Sequence, residues 1–245
     1  VKGEEGNPLL KRALRVGCLF SGGPAPGGHD VIDGICDALP EGSSLIGYLE
    51  GAKGVIEGRN VSITPEKLAP YRKTGGFHLL GTGRTKIATE KQMKAVLMTC
   101  QRDRLDGLVI IGGDDSNTNA AHLAEYALFH KSDLTVVGVP KTIDGDLRHE
   151  VLPLSFGFHS ATTLYSELID NLHRDLLSTK KYTHFVRLMG RSASHITLEC
   201  ALATAPHYAL ISEEIGEKKM SLQEVIAAIT EAVISMQGCG IILIP

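Results

Sequence analysis

With 245 residues, 43% hydrophobic and 22% charged, the chain has ordinary globular composition and is long enough for one large α/β domain or two small ones. A formal net charge of −3 without a long basic run gives no reason to expect nucleic acid or an anionic membrane as partner. Five cysteines with no CxxC pair argue against a disulfide framework or a zinc site and for a reducing, cytoplasmic setting, with Cys18, Cys36, Cys100 and Cys239 read as small core side chains.

In chain order, apolar strands are predicted at 15–20, 45–48, 77–80, 107–111, 134–139, 183–189, 208–212 and 240–244. Those centred on Val109, Val136 and Ile242 are almost wholly apolar, as expected of strands covered on both faces. Helices are predicted between them. One spans 29–39, and another starts at a capping box of Thr89 and Gln92. A third is capped by Ser116, a fourth covers about 158–176, and a fifth starts at a second box of Ser221 and Glu224. No run approaches the ~18 apolar residues of a membrane span, and the first residues carry no apolar leader core.

This alternation argues an α/β fold with a doubly wound, mostly parallel sheet. A boundary near 147–155 divides an α/β domain at 1–150 from a second, smaller one at 151–245. Three strands make a thin sheet for a complete domain. The second domain is therefore expected to be truncated, and the chain to be a piece of a longer protein.

Two acidic runs follow predicted strands: Ile-Ile-Gly-Gly-Asp-Asp-Ser-Asn at 110–117 and Pro-Lys-Thr-Ile-Asp-Gly-Asp at 140–146. In an open parallel sheet, ligands bind outside the carboxyl ends of the strands. Asp114 and Asp115 precede a helix start, where a carboxylate gains from the helix dipole and one of the pair suits a divalent cation. Asp144 and Asp146, one residue apart in an extended segment, would point the same way, one as base toward a hydroxyl while Lys141 balances phosphate charge.

Two loops suit phosphate. Ser21-Gly-Gly-Pro-Ala-Pro-Gly-Gly28 joins a strand to a helix, and its backbone N–H groups at the helix start are expected to face an anion. It is neither a Walker A loop nor a dinucleotide G-x-G-x-x-G. Gly81-Thr-Gly-Arg-Thr-Lys86 presents Arg84 and Lys86 beside glycines. The ten histidines are spread singly and read as surface or satisfied side chains, with no metal assigned to them.

Taken in order, Gly22-Gly23-x-Ala25-Pro26-Gly27, Gly81-Thr-Gly-Arg84, Gly112-Gly-Asp-Asp-Ser116, Pro140-Lys-Thr-Ile-Asp-Gly-Asp146 and Met189-Gly-Arg191 resemble the phosphofructokinase family, and within it the pyrophosphate-dependent branch. The resemblance covers about 15–245. It implies magnesium-dependent transfer of a phosphoryl group from pyrophosphate to the 1-hydroxyl of fructose 6-phosphate.

By that resemblance Asp144 is the proton acceptor, Lys141 and Asp115 complete the catalytic set, and Asp114 holds magnesium. Gly23, Arg84, Gly113 and Ser116 contact the donor. Thr142, Ile143, Asp144, Asp146, Met189, Gly190 and Arg191 contact the sugar phosphate. Lys181 and Tyr182 match a segment that reaches a neighbouring subunit, which implies a homodimer or homotetramer.

ATP-using relatives carry glycine at the positions of Asp115 and Lys141. A carboxylate at 115 is expected to repel a third phosphate by roughly 1 to 4 kcal/mol at contact distance. The chain departs from the family at Asp30, where asparagine is usual, and the family's sugar-contacting glutamate would lie beyond Pro245. The alternatives are a regulatory subunit of the same family, an ATP-dependent 6-phosphofructokinase, and a generic nucleotide-binding module.

Overall fold

A computed structural model describes residues 12–148, 150, 152–190 and 193–245, which divide into two compact units, Val1–Lys141 and Thr142–Pro245. The first unit contains β1 (Arg15–Ser21), α1 (Gly28–Ala38), β2 (Ser44–Tyr48), α2 (Ala52–Glu57) and β3 (Asn60–Ile63). It continues through α3 (Pro65–Leu68), a 3-10 turn (Ala69–Tyr71), β4 (Thr82–Gly83), α4 (Glu90–Arg102), β5 (Gly107–Gly112), α5 (Asp114–Phe129) and β6 (Thr135–Thr142). Its strands run in the order β3-β2-β1-β5-β6, parallel except for the antiparallel β2–β3 pair.

The apolar runs explain this order. Leu19, Leu108 and Ile110 turn into a core completed by Tyr48, Val55, Val96 and Leu123 from β2 and the helices. Burial of such a set fixes register, because a slip of one residue turns every side chain to the opposite face. The chain moves outward from β1 to β2 and β3, then returns to its other side at β5. The strand order thus reverses between β1 and β5, where an open α/β sheet leaves a crevice.

The second unit contains β7 (Phe156–Gly157), α6 (Phe158–Thr179), β8 (Thr183–Arg187), α7 (His195–Thr204), β9 (Tyr208–Ala209), α8 (Ser212–Glu217), α9 (Leu222–Ser235) and β10 (Gly240–Ile244). Three of its strands form a parallel sheet in the order β8-β10-β9, with Ile241 and Leu243 of the central strand packed on Phe158, Ile169, Leu176, Ile196 and Cys200.

Both predicted capping boxes are present: Thr89 with Gln92 opens α4, and Ser221 with Glu224 opens α9. Several expectations need correction. Residues 77–80 form a turn closed by Gly81 N–H on Phe77 O at 2.9 Å, and Phe77 and Leu80 are buried there without a ladder. The strand next to them is the short β4, which pairs with the end of β1. Ser116 does not cap α5; Gly113 holds that position. The predicted strand at 208–212 ends at Ala209 because Ser212 starts α8. Val137 of β6 is 45% exposed, so the strand around Val136 is less covered than its composition suggests. All five cysteines are free thiols, three of them buried.

The packing sets an order of sensitivity. Leu108→Ala should lower unfolding free energy by about 2 to 5 kcal/mol, whereas Leu128→Ala, 74% exposed at the end of α5, should change it by less than about 0.5 kcal/mol. Urea denaturation followed by circular dichroism checks both.

Candidate functional site

Backbone ladders bring four loops of the first unit to one edge. Ser21 at the end of β1 is the register partner of Gly83 on one side and Gly112 on the other, and Gly112 is the partner of Pro140. The chain leaves the sheet after Ser21, Gly83 and Gly112, and β6 ends at Thr142, just past Pro140. The glycine-rich loop, the 81–86 loop, the start of α5 and Lys141 therefore meet at the carboxyl ends of β1, β5 and β6.

Short bonds lock the meeting. Gly22 N–H donates to Gly83 O at 2.9 Å, and Thr82 Oγ1 donates back to Gly22 O at 2.7 Å. Ser116 Oγ donates to Ser21 Oγ at 2.8 Å in a buried contact. Gly22 has φ +87°, a conformation that favours glycine, and a Cβ there would lie 3.7 Å from Lys141 Nζ. Lys141 is 9% exposed. A Cβ on Gly23 would meet nothing within 4 Å, so the loop is open at that residue.

At the start of α5, Gly113 offers no side-chain cap and the first turn carries Asp114 and Asp115, where the helix dipole favours negative charge. Asn117, which sequence reading passed over, donates from Nδ2 to Gly112 O at 2.7 Å and to Gly113 O at 2.8 Å. It fixes the turn between β5 and α5. The adjacent Asp-Asp-Ser-Asn run was its only signal.

The Asp115 carboxylate is 74% exposed and lies 3.2 Å from Lys86 Nζ, itself 63% exposed. This pair links the 81–86 loop to α5, is screened by salt, and adds little stability. Arg84 is also exposed.

The start of α1 differs from expectation. Three of its N–H groups are already taken: Gly27 and Gly28 donate to Gly75 O at 2.7 and 3.2 Å, and His29 donates to Gly76 O at 2.9 Å. They are not free to hold an anion. His29 is fully buried with both ring nitrogens hydrogen-bonded, one of the satisfied histidines the sequence leads one to expect.

In the second unit, Asp144 N–H donates to Thr142 Oγ1 at 3.1 Å, and Ser155 Oγ donates to Thr142 O at 2.7 Å. Arg148 Nε donates to Gly145 O at 2.9 Å. Gly145 has φ +72°, so Asp144 and Asp146 flank a turn and not the extended segment the spacing suggested. Both carboxylates are half-buried, and Ile143 packs on the second unit's core.

Met189 is 56% exposed, and with Gly190 it lines a cleft of ≈ 470 Å³ that also meets Tyr165, Leu168 and Leu172. Lys181 and Tyr182 are exposed, and Arg191 lies outside the described residues. His184 Nε2 and His195 Nδ1 are buried without a hydrogen-bond partner, against the expectation that such histidines are satisfied or at the surface.

A family model for phosphofructokinase matches residues 15–244. The chain belongs to the phosphofructokinase family. It is 49% identical over 241 residues to a pyrophosphate–fructose 6-phosphate 1-phosphotransferase of Treponema pallidum (strain Nichols), covering 96% of this chain and 42% of that protein. It is 48% identical over 246 residues to an enzyme of the same name from Entamoeba histolytica (strain ATCC 30459 / HM-1:IMSS / ABRM), covering 98% of this chain and 45% of that one.

The solved phosphofructokinase of Saccharomyces cerevisiae superposes with a TM-score of 0.81 at 20% identity, over 96% of this chain and 32% of that chain, a likeness of fold. The chain thus spans less than half the length of the curated relatives named here.

Within this phosphofructokinase-family chain the Ser21–Ser116 bond is the buried tie between the glycine-rich loop and α5. Ser116→Ala strands the Ser21 hydroxyl and should cost about 1 to 3 kcal/mol. Lys86→Ala should leave the melting temperature nearly unchanged at physiological salt. Thermal unfolding of the two variants beside the parent provides the measurement.

Proposed function

We propose that this chain is part of a magnesium-dependent phosphotransferase, acting in glycolysis, that moves a phosphoryl group from pyrophosphate to the 1-hydroxyl of fructose 6-phosphate. The products are fructose 1,6-bisphosphate and orthophosphate. Residues 1–150 supply the donor side and 151–245 part of the sugar-phosphate side. The main support is the convergence of Gly22, Gly83, Gly112 and buried Lys141 on one sheet edge, in a chain whose relatives bear that activity's name.

The donor lies along Gly23, Arg84, Gly113 and Ser116. Gly23 is open and Arg84 exposed, so both are accessible to a phosphate. Lys141 balances charge on the transferring group, the electrostatic role that dominates phosphoryl transfer. Asp144 accepts the proton of the attacking 1-hydroxyl as the new P–O bond forms and the bridging P–O bond of pyrophosphate breaks. Thr142, Ile143, Asp146, Met189, Gly190 and Arg191 hold the sugar phosphate.

Asp114 would hold magnesium, which supplies neutralisation of the phosphate oxygens when bound. The donor set fits that ion, because magnesium takes one or two carboxylates and keeps waters and substrate phosphates, and the first turn of α5 carries the acidic pair Asp114 and Asp115.

Asp115 disfavours a nucleotide by adding a carboxylate where a third phosphate would run. Its pairing with Lys86 offsets part of that field. Lys181 and Tyr182, both exposed, suit a role at a neighbouring subunit in a homodimer or homotetramer. A cytoplasmic setting fits the free thiols. A regulatory subunit is disfavoured because Asp114, Lys141, Asp144 and Arg191 are all present.

Assays on the full-length protein decide this. Pyrophosphate with magnesium should support turnover and ATP should not. Asp144→Asn should lower kcat roughly 10²- to 10⁴-fold while sugar-phosphate binding persists. The paired change Asp115→Gly with Lys141→Gly should bring in ATP use. Turnover of the parent with ATP alone would sink the donor assignment.

A further inference from the structure

His29 follows the glycine-rich loop directly, as the second residue of α1, and is fully buried. Its ring is engaged at both nitrogens. Leu79 N–H donates to Nε2 at 3.1 Å, so Nε2 carries the lone pair and the neutral ring keeps its proton on Nδ1. Nδ1 lies 2.7 Å from Thr74 Oγ1, and that hydroxyl donates its own proton to Tyr71 O at 2.7 Å. The Thr74 oxygen is therefore the acceptor for Nδ1–H. Around the ring, Tyr71 and His78 pack edge-on with centroids at 5.1 and 4.6 Å.

One imidazole thus fastens the 71–79 segment by hydrogen bonds at two points, Thr74 and Leu79. The same segment delivers the Gly75 and Gly76 carbonyls to the first N–H groups of α1. The glycine-rich loop is then held at both ends, by Gly83 and Ser116 near β1 and by the 71–79 segment at α1, with Gly23 open between them.

We infer that His29 is a positioning residue for the donor loop: the neutral imidazole clips residues 71–79 to α1 and so sets the loop geometry around Gly23. The inference rests on the donor role proposed above for that loop, and His29 itself touches no reacting group.

A second proton on the ring would set N–H against N–H at Leu79 and open the clip. Burial holds the His29 pKa below the usual histidine value, the neighbouring His78 lowers it further, and Asp30 pulls the other way. His78, Asp30 and Tyr71 are the titratable groups facing the ring. The unfolded chain takes its proton near pH 6.5 and the folded one resists it. The clip's contribution is therefore complete above that pH and erodes as pH falls toward the folded value.

Two variants of the full-length protein test this. His29→Phe keeps volume but neither hydrogen bond; His29→Gln keeps an acceptor for Leu79 and does not titrate. His29→Phe should raise the pyrophosphate KM about 10- to 100-fold and leave the fructose 6-phosphate KM unchanged. His29→Gln should recover most of that loss and abolish the rise of the parent's pyrophosphate KM in acid. An equal rise of both KM values in His29→Phe, or an acid rise that persists in His29→Gln, overturns the inference.

Amide exchange at Leu79, Gly27 and Gly28 without substrate reads the clip apart from any reaction. Protection relative to the intrinsic exchange rate should fall in the parent below pH 6.5 but not in His29→Gln, and unchanged protection in the parent overturns the inference even if His29→Phe does not fold. A parent that turns over no pyrophosphate refutes the donor reading instead, and the exchange result still decides the clip.

Discussion

Everything at the candidate site depends on the ladder that aligns Ser21 with Gly83 and Gly112, and Gly112 with Pro140. Backbone hydrogen bonds in parallel strands are evenly spaced, so register is set less by the bonds than by which side chains are buried. Leu19, Leu108 and Ile110 sit in one core and admit no slip without turning into solvent. Four loops of unrelated sequence thereby reach the same edge, and contacts such as Gly22 N–H to Gly83 O are consequences of that alignment.

Much of this was legible in the residues. The apolar runs of β1, β2, β5 and β10 and the two capping boxes needed only local chemistry, and they were read correctly. The segment at 77–80 was misread because Phe77 and Leu80 look like strand residues. Their burial comes instead from packing a turn, Phe77 against the ring of Phe20 with centroids 4.2 Å apart. β3 was missed because four residues with one fully buried side chain give too weak an alternation.

The candidate site was legible as a set of motifs and not as a set of contacts. Nothing local in the sequence assigns the N–H groups of Gly27 and Gly28 to a carbonyl at Gly75, nor couples His29 to Thr74 and Leu79 across 45 and 50 residues. Ser116 looks like a cap because it stands just before the apolar stripe of Ala120, Leu123, Ala124, Ala127 and Leu128. Its hydroxyl serves a partner 95 residues away. Such long-range polar partners are chosen by the fold, after the strands have docked.

The two helix starts at this edge are both met by negative groups of the chain itself. At α1 the positive end of the dipole is covered by the carbonyls of Gly75 and Gly76. At α5 it is met by Asp114 and Asp115. Neither end is free to act as a dipole site for a phosphate. In the proposed reaction the donor's charge must then be balanced by side-chain cations and by a divalent ion, because the carboxylates of α5 repel an unaccompanied phosphate. Lys141, buried beside Gly22, is the cation best placed for this, since a charge shielded from water acts through a lower dielectric than exposed Arg84 or Lys86. Within that proposal, the two carboxylates in the first turn of α5 are the reason a divalent ion would accompany the phosphate.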